Sequence, residues 1–445
     1  MIRTIQPELI RWKETLTRRP LLLRGARQVG KTYAVRQFAE ACFDNLVELN
    51  FELEPALKSL FGTLQPADIV RTIALSRNVT ITSGRTLLFL DEIQECPQAI
   101  MALRYFYERM PELHVIGAGS LLEFTLRSSG FRMPVGRIQY LVLRPLSFAE
   151  FLTATGEQPL VEEVATLTTT TQLHAVVELK LLKLLKDYLL VGGMPGVVAE
   201  YLQDPQQTAY QQVSSALLQT YRDDFGKYAN QVKHLYLQKV LDSAPRLVGQ
   251  RYKYVNVDHE LRSRELKEAL LLLVRAGLMH RVCATSGAGL PLATYSKDQL
   301  FKILFLDVGL MQHACGLDAT IATATDFLAI NAGAMAEQFV GQELLAYSPA
   351  YEETALFFWQ REQRSSQAEV DYLISVDGKV IPVEVKAGKT GRLRSLKQFM
   401  TDYDCPLGVR ISQVPVSFQH GILSIPLYAI EQLPRLVREA SYGQA

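Results

Sequence analysis

The chain has little of several things that would narrow its class. Cysteine is scarce: Cys42, Cys96, Cys283, Cys315 and Cys405 are odd in number, far apart and never spaced C-x-x-C. That speaks against a disulfide framework and a cysteine zinc site, and for a reducing compartment. An excess of one charge is also missing, since 47 Lys and Arg face 46 Asp and Glu and leave a net charge of +1. No overall electrostatic footprint for nucleic acid results, so such contact needs a local patch. No uncharged run approaches the length of a membrane span, and the first residues lack the apolar core of a signal peptide. A cytoplasmic protein without a membrane partner is expected. At 445 residues the chain is too long for one core, and about two to four domains are expected.

What is present centres on Gly25-Ala26-Arg27-Gln28-Val29-Gly30-Lys31-Thr32. The apolar run Pro20 to Leu23 before it reads as a buried strand, and Tyr33 to Ala39 after it reads as a helix. Strand, loop and helix with the spacing G-x-x-x-x-G-K-[ST] make a P-loop, and both flanks disfavour a chance match in a glycine turn. Its glycines let backbone N–H groups close around phosphate oxygens, and the helix N-terminus adds a favourable field. ATP is the expected ligand, with Lys31 on the β- and γ-phosphates and Thr32 on Mg²⁺.

Thr86 to Glu92 is an apolar run that ends in two carboxylates, as expected of a parallel strand buried on both faces. Asp91 then stands at the strand end, where it holds Mg²⁺, and Glu92 polarises the attacking water. Leu113 to Ser120 reads as a further strand whose last residue, Ser120, is placed to sense the γ-phosphate; Ser120 to Glu123 equally fits a helix capping box. Arg137 has two readings, an arginine finger toward nucleotide in a neighbouring subunit of a homo-oligomer, or a loop-packing arginine.

Residues 1 to 19 suggest an entry helix with Ile10, Trp12 and Leu16 as apolar contacts, and Ser147 with Glu150 suits a capping box. The chain is mainly helical from about 155 to 245. From 246 to 282 helix, turn, helix and a short extended segment suggest a winged-helix unit. In 246 to 281 eight cations (Arg246, Arg251, Lys253, Arg262, Arg264, Lys267, Arg275, Arg281) face four acids, the kind of patch that phosphate contact needs.

A second constellation lies near the C-terminus. A helix with Glu337 precedes three strands, a helix and another strand, the order αβββαβ. Asp371 and Glu384 fall on neighbouring strands of one hairpin, and Glu384 and Lys386 share a face through the period of two. Two carboxylates and a lysine can hold Mg²⁺ and activate a water for phosphodiester cleavage. E-x-K on a strand is also common as plain charge pairing. Lys386, Lys389, Arg392, Arg394 and Lys397 form a basic run beside it.

With GARQVGKT, LLFLDEIQ, GAGS, VGR with PLSFAEF, YLLVGGMPGVV, FKILFLDVGL, AEVDYLI and PVEVKAG in place, the chain from Leu21 to about Leu396 resembles prokaryotic AAA-family ATPases whose C-terminal domain of unknown function has a PD-(D/E)XK restriction-endonuclease-like core. Together with the reading along the chain, the expectation is an α/β protein with a domain over 1–155 that the resemblance makes an AAA-type ATPase, a helical region over 156–245, a winged-helix-like region and connector over 246–324, and a restriction-endonuclease-like αβββαβ domain over 325–445. The resemblance puts Asp371, Glu384 and Lys386 in the nuclease motif, with Glu337 as the helical acid and further candidate metal ligand. Two readings follow: an ATP-driven protein acting on nucleic acid, DNA foremost, or an ATP-dependent assembly switch whose C-terminal domain is an inactive partner-binding module.

Overall fold

Runs that are apolar at every position need cover on both faces, and in this chain they form central strands. The structure, a computed structural model, describes residues 1–120, 136–205, 208–228, 231–324, 333–361, 368–388 and 391–442. Among them β1 (Leu21–Arg24), β2 (Asn45–Asn50), β3 (Thr86–Asp91), β4 (His114–Ala118) and β5 (Gln139–Val142) form one parallel sheet in the order β2-β3-β4-β1-β5. Every residue of β3 is buried. The Lys31–Cys42 helix packs on one face with Val35 and Phe38, and the Pro97–Arg109 helix on the other with Leu103 and Phe106.

The entry helix spans Gln6–Glu14 and buries Leu9 and Trp12, with Ile5 just ahead of it. Ile10 and Leu16, expected as contacts, are 41% and 95% exposed. The spacing 5, 9, 12 follows one helical face. Ile10 is turned off that face, and Leu16 lies beyond the helix end. The Ser147 and Glu150 capping box is present, and Arg3 Nε ties Glu150 Oε1 to the N-terminus at 3.1 Å.

The largest departure concerns the middle of the chain. The Ser263–Arg275 helix is followed by a hairpin of β6 (Met279–Thr285) and β7 (Ser296–Phe305), as a winged helix would be. Yet β6 also pairs in parallel with β8 (Leu356–Gln360), so the hairpin is no free wing. It extends a sheet of β9 (Glu369–Val376), β10 (Lys379–Val385), β11 (Gly408–Ser412), β12 (Ser417–Gln419) and β13 (Ile422–Pro426). The eight described strands run β12-β13-β11-β10-β9-β8-β6-β7. This sheet crosses the expected boundary at 324/325. The reason is edge chemistry: without β6 one side of β8 would leave its backbone groups unpaired, and the apolar β6, with Met279, Val282 and Ala284 buried, supplies the partner.

Polar side chains lock the join. On the Ala334–Ala346 helix, Gln338 accepts from Phe305 N at 2.9 Å and donates to Phe305 O at 2.8 Å, and Gln342 accepts from Val308 N at 2.8 Å. Asp307, fully buried, accepts from Gly193 N at 2.7 Å and Leu310 N at 3.0 Å. No helix among the described residues is long and apolar enough to cross a membrane.

Candidate functional site

The P-loop lies between the end of β1 and the Lys31–Cys42 helix, at the carboxyl edge of the sheet. Gly25 has φ +146°, and a Cβ there would stand 2.3 Å from Leu143 O, so the close approach of β5's exit to the loop requires glycine. Gly30, the N-cap of the helix, has φ +95°. Lys31 folds back into the loop, its Nζ 3.0 Å from Gly25 O and 2.9 Å from Ala26 O. Burial lowers its pKa to about 8, with the Glu92 and Asp91 carboxylates pulling the other way. An anion in the loop would favour its charged form.

Thr32 Oγ1 donates to Asp91 Oδ2 at 3.1 Å, so the two residues expected to share Mg²⁺ already touch. Asn50 Nδ2, on the neighbouring β2, donates to the same oxygen at 3.2 Å. Burial, then the Glu92 charge, raises the Asp91 pKa. Glu92 is held in a left-handed backbone conformation, φ +49°, and its Oε2 accepts from Gln94 Nε2. Ser120, 1% exposed just past β4, has an Oγ without a hydrogen-bond partner. Its alternative partner in a capping box, Glu123, lies outside the described residues. Arg27 pairs with Asp224 at 3.3 Å, and Tyr221 Oη donates to Arg27 O at 2.9 Å, so the helical region closes over the loop.

Arg137 is not brought to this site. It precedes β5, whose first residue pairs with Leu21 at the start of β1, while the P-loop follows the other end. Its Nε donates to Glu108 Oε1 at 3.1 Å, and its guanidinium lies 5.9 Å from the Tyr107 ring. The Glu108 ion pair gives Arg137 a partner within its own domain, as a loop-packing arginine has; a contact with a neighbour's nucleotide does not depend on the distance to its own P-loop. Arg137→Ala should leave ATP turnover per subunit, and its dependence on protein concentration, unchanged in steady-state assays; a tenfold fall in turnover would reinstate a finger acting in a neighbour.

In the C-terminal unit, Asp371 on β9 and Glu384 on β10 face each other across the hairpin, with Val383 paired to Tyr372. Asp371 Oδ2 accepts from Val385 N at 2.8 Å, and Lys386 Nζ stands 2.6 Å from Glu384 Oε1. Burial raises the Asp371 pKa; burial and then Asp371 push Glu384 up to about 7. Glu384 Oε2 is buried with no partner. Lys389 of the adjacent basic run lies outside the described residues.

The expected trio is joined by two residues that sequence reasoning missed. Lys302, on β7, pairs with Glu337 at 2.9 Å and with Glu369 at 2.6 Å. Burial pushes Glu337 up to about 7, with Lys302 opposing. Burial works against the Lys302 charge, but Glu337, Asp371 and Glu369 outweigh it and raise its pKa. The signal was one cation inside the apolar run Phe301 to Leu306. As they stand, no three carboxylate, His or Cys side chains among the described residues form a group that could hold a metal ion. The donor set nevertheless suits a hard cation: four carboxylates face two lysines, and one buried carboxylate oxygen lacks any donor.

A cleft of about 590 Å³ separates the carboxyl edge of the first sheet from the β6–β7 hairpin, and Arg24, Arg144, Arg275 and Arg281 line it.

The family described as AAA domain matches residues 17–152. Two domains of unknown function, DUF8612 and DUF4143, match residues 182–321 and 332–430. No curated protein matches the chain. Similar solved structures include the Aeropyrum pernix ORC1 protein in complex with DNA, at 16% identity over 72% of this chain and 94% of that one, with a TM-score of 0.27. The Aeropyrum pernix ORC2 protein with ADPNP and ADP has 12% identity over 73% and 96%, with a TM-score of 0.36. AMPPCP-bound DnaA from Aquifex aeolicus has 12% identity over 61% and 85%, with a TM-score of 0.22. All three TM-scores lie below 0.5, and nothing is carried over from these proteins. Residues 17–152 thus match the AAA-domain family, and the loop with its strand-end carboxylate beside Thr32 has the arrangement of a P-loop nucleotide site.

Proposed function

We propose that this ATPase acts on nucleic acid, and that Asp371, Glu384 and Lys386 form a divalent-cation-dependent centre for phosphodiester cleavage. The observation that carries the reading is the buried, unpartnered Oε2 of Glu384 beside Asp371. A buried acceptor without a donor is costly, and a bound hard cation removes that cost. The arginine-lined cleft supports a phosphate-bearing partner. When bound, Mg²⁺ would acidify a water and offset phosphate charge. Asp371 and Glu384 hold the cation, with Glu337 nearby on its helix. Lys386, at the rim, orients the water or donates to a phosphate oxygen. In the ATPase domain, Lys31 and the loop amides bind phosphate, Thr32 and Asp91 hold Mg²⁺, Glu92 orients the attacking water and Ser120 meets the γ-phosphate.

The Lys302 ion pairs favour a second reading, in which the carboxylates form a static network on a partner-binding module. Mutation separates the two. Asp371→Ala or Glu384→Ala should abolish Mn²⁺ binding by calorimetry and any plasmid cleavage. Lys386→Ala should keep the cation and lose cleavage by about 10²-fold or more. ATP turnover should survive in all three. Wild-type protein that binds no Mn²⁺ at millimolar concentration, and cuts neither plasmid nor single-stranded DNA or RNA, would leave the partner-binding reading.

A further inference from the structure

Lys302 is the most deeply buried cation of the C-terminal half's acidic centre, its side chain 3% exposed. Its Nζ stands 2.9 Å from Glu337 Oε1, 2.6 Å from Glu369 Oε1 and 3.9 Å from Asp371 Oδ1, and 5.3 Å from the centroid of the Phe358 ring. Lys386 differs, being 27% exposed and paired with Glu384 alone. A charge this buried persists only when paired. Here one ammonium gathers three carboxylates from two other elements, the Ala334–Ala346 helix and β9.

Glu337 and Asp371 are two of the residues assigned above to the divalent cation. An ammonium and a divalent ion compete for the same oxygens, because placing both among them sets like charges a few ångströms apart in a poorly solvated space. The spacings differ as well. Ammonium to carboxylate hydrogen bonds span about 2.8 Å, whereas Mg²⁺ draws oxygens to about 2.1 Å and Ca²⁺ to about 2.4 Å. Carboxylates arranged around Lys302 therefore stand too far apart for a metal shell, in keeping with the absence of a ready three-ligand group among the described residues.

We propose that Lys302 is a tethered counter-ion of this centre, supplied by the β6–β7 hairpin, which occupies the place of a divalent cation and keeps cation affinity low until the ammonium withdraws. The proposal rests on the cation-centre reading above. It makes the hairpin, which sequence analysis assigned to a separate region, part of the site. Glu369, 26% exposed, marks the side on which the centre meets solvent.

The test is Mn²⁺ titration of the full chain by calorimetry, comparing wild type with Lys302→Met and with Lys302→Met/Glu384→Ala, each checked for fold by circular dichroism. Lys302→Met should bind Mn²⁺ at least tenfold more tightly than wild type, and the double variant should lose that gain. Lys302→Gln, which keeps a donor for Glu337 and Glu369, replaces the methionine variant if that one does not fold, with the same expected gain. Equal affinity in wild type and variant, or weaker binding in the variant, overturns the proposal while leaving the cation centre standing; weaker binding would make Lys302 a scaffold that holds the ligands in place. No binding in any variant overturns both.

Discussion

Lys31→Ala is expected to remove ATP binding, while Glu92→Gln keeps nucleotide affinity within a few-fold and lowers turnover by about 10²- to 10³-fold. The two residues stand at different ends of the same reaction. Lys31 Nζ sits inside the loop on the Gly25 and Ala26 carbonyls, in the hollow that phosphate oxygens would fill. Losing a buried, hydrogen-bonded charge partner costs about 2–5 kcal/mol of affinity, and the loop carbonyls would then face phosphate with no cation between. Glu92 lies past the strand end, turned by its left-handed backbone and held by Gln94. It makes no hydrogen bond to the loop backbone among the described residues, and Gln replaces its charge without changing its size, so the substitution leaves the cradle in place and takes away the group that orients water. Calorimetry with a non-hydrolysable ATP analogue, beside phosphate-release kinetics, separates the two effects. An equal loss of affinity in both variants would show that Glu92 serves the fold of the loop rather than the hydrolysis step.

Thermal stability is expected to rise as pH falls from about 8.5 to about 6.5, and Glu343→Gln to flatten that rise. Glu343 is fully buried, and both its oxygens accept from Phe148 N at 3.1 Å. Burial pushes its pKa to about 8, from 4.5 in the open chain. Burial also pushes Glu337 and Glu384 to about 7 and Asp307 to about 6. A carboxyl whose folded pKa lies above its unfolded one holds its proton more tightly when folded. Its contribution is complete below the unfolded value and is lost as pH climbs through the folded one. Two histidines work in the opposite direction. Burial lowers His114 to about 4 and His280 to about 3, so their contribution is complete above 6.5 and falls away below it.

Between about 6.5 and 8.5 the carboxyls of Glu343, Glu337 and Glu384 outweigh Lys31, whose pKa, lowered by burial from 10.5 to about 8, makes its own contribution fall away as pH drops. With each pKa unit worth about 1.4 kcal/mol, the rise is on the order of 2 kcal/mol, with Glu343 the largest share. Melting midpoints at constant ionic strength check it. A midpoint that falls toward pH 6.5, or an unchanged slope in Glu343→Gln, would mean that Glu343 stays ionised on its hydrogen bonds.

Local chemistry was legible without coordinates. The P-loop is a contiguous strand, loop and helix, and Asp91 and Glu92 follow directly on their own strand. Asp371, Glu384 and Lys386 lie within one hairpin whose period of two sets their faces. In each case the spacing of neighbouring residues already contains the geometry, because backbone conformation is a local property. The Ser147 capping box was legible for the same reason.

The rest depended on which elements meet. A lone lysine in an apolar run says that a charge is buried, but not by which acids; only the packing of β7 against the Ala334–Ala346 helix and β9 names Glu337, Glu369 and Asp371. The hairpin's place in the C-terminal sheet followed from an available strand edge, which no periodicity encodes. Arg137's distance from the P-loop came from the parallel register of β5 with β1. The sequence by itself determined the ATPase motif and the hairpin that bears Asp371, Glu384 and Lys386, since both are short-range. Only the tertiary structure decided that the acidic centre holds a cation of the chain's own, because the ion pairs of Lys302 join residues tens of positions apart, through packing.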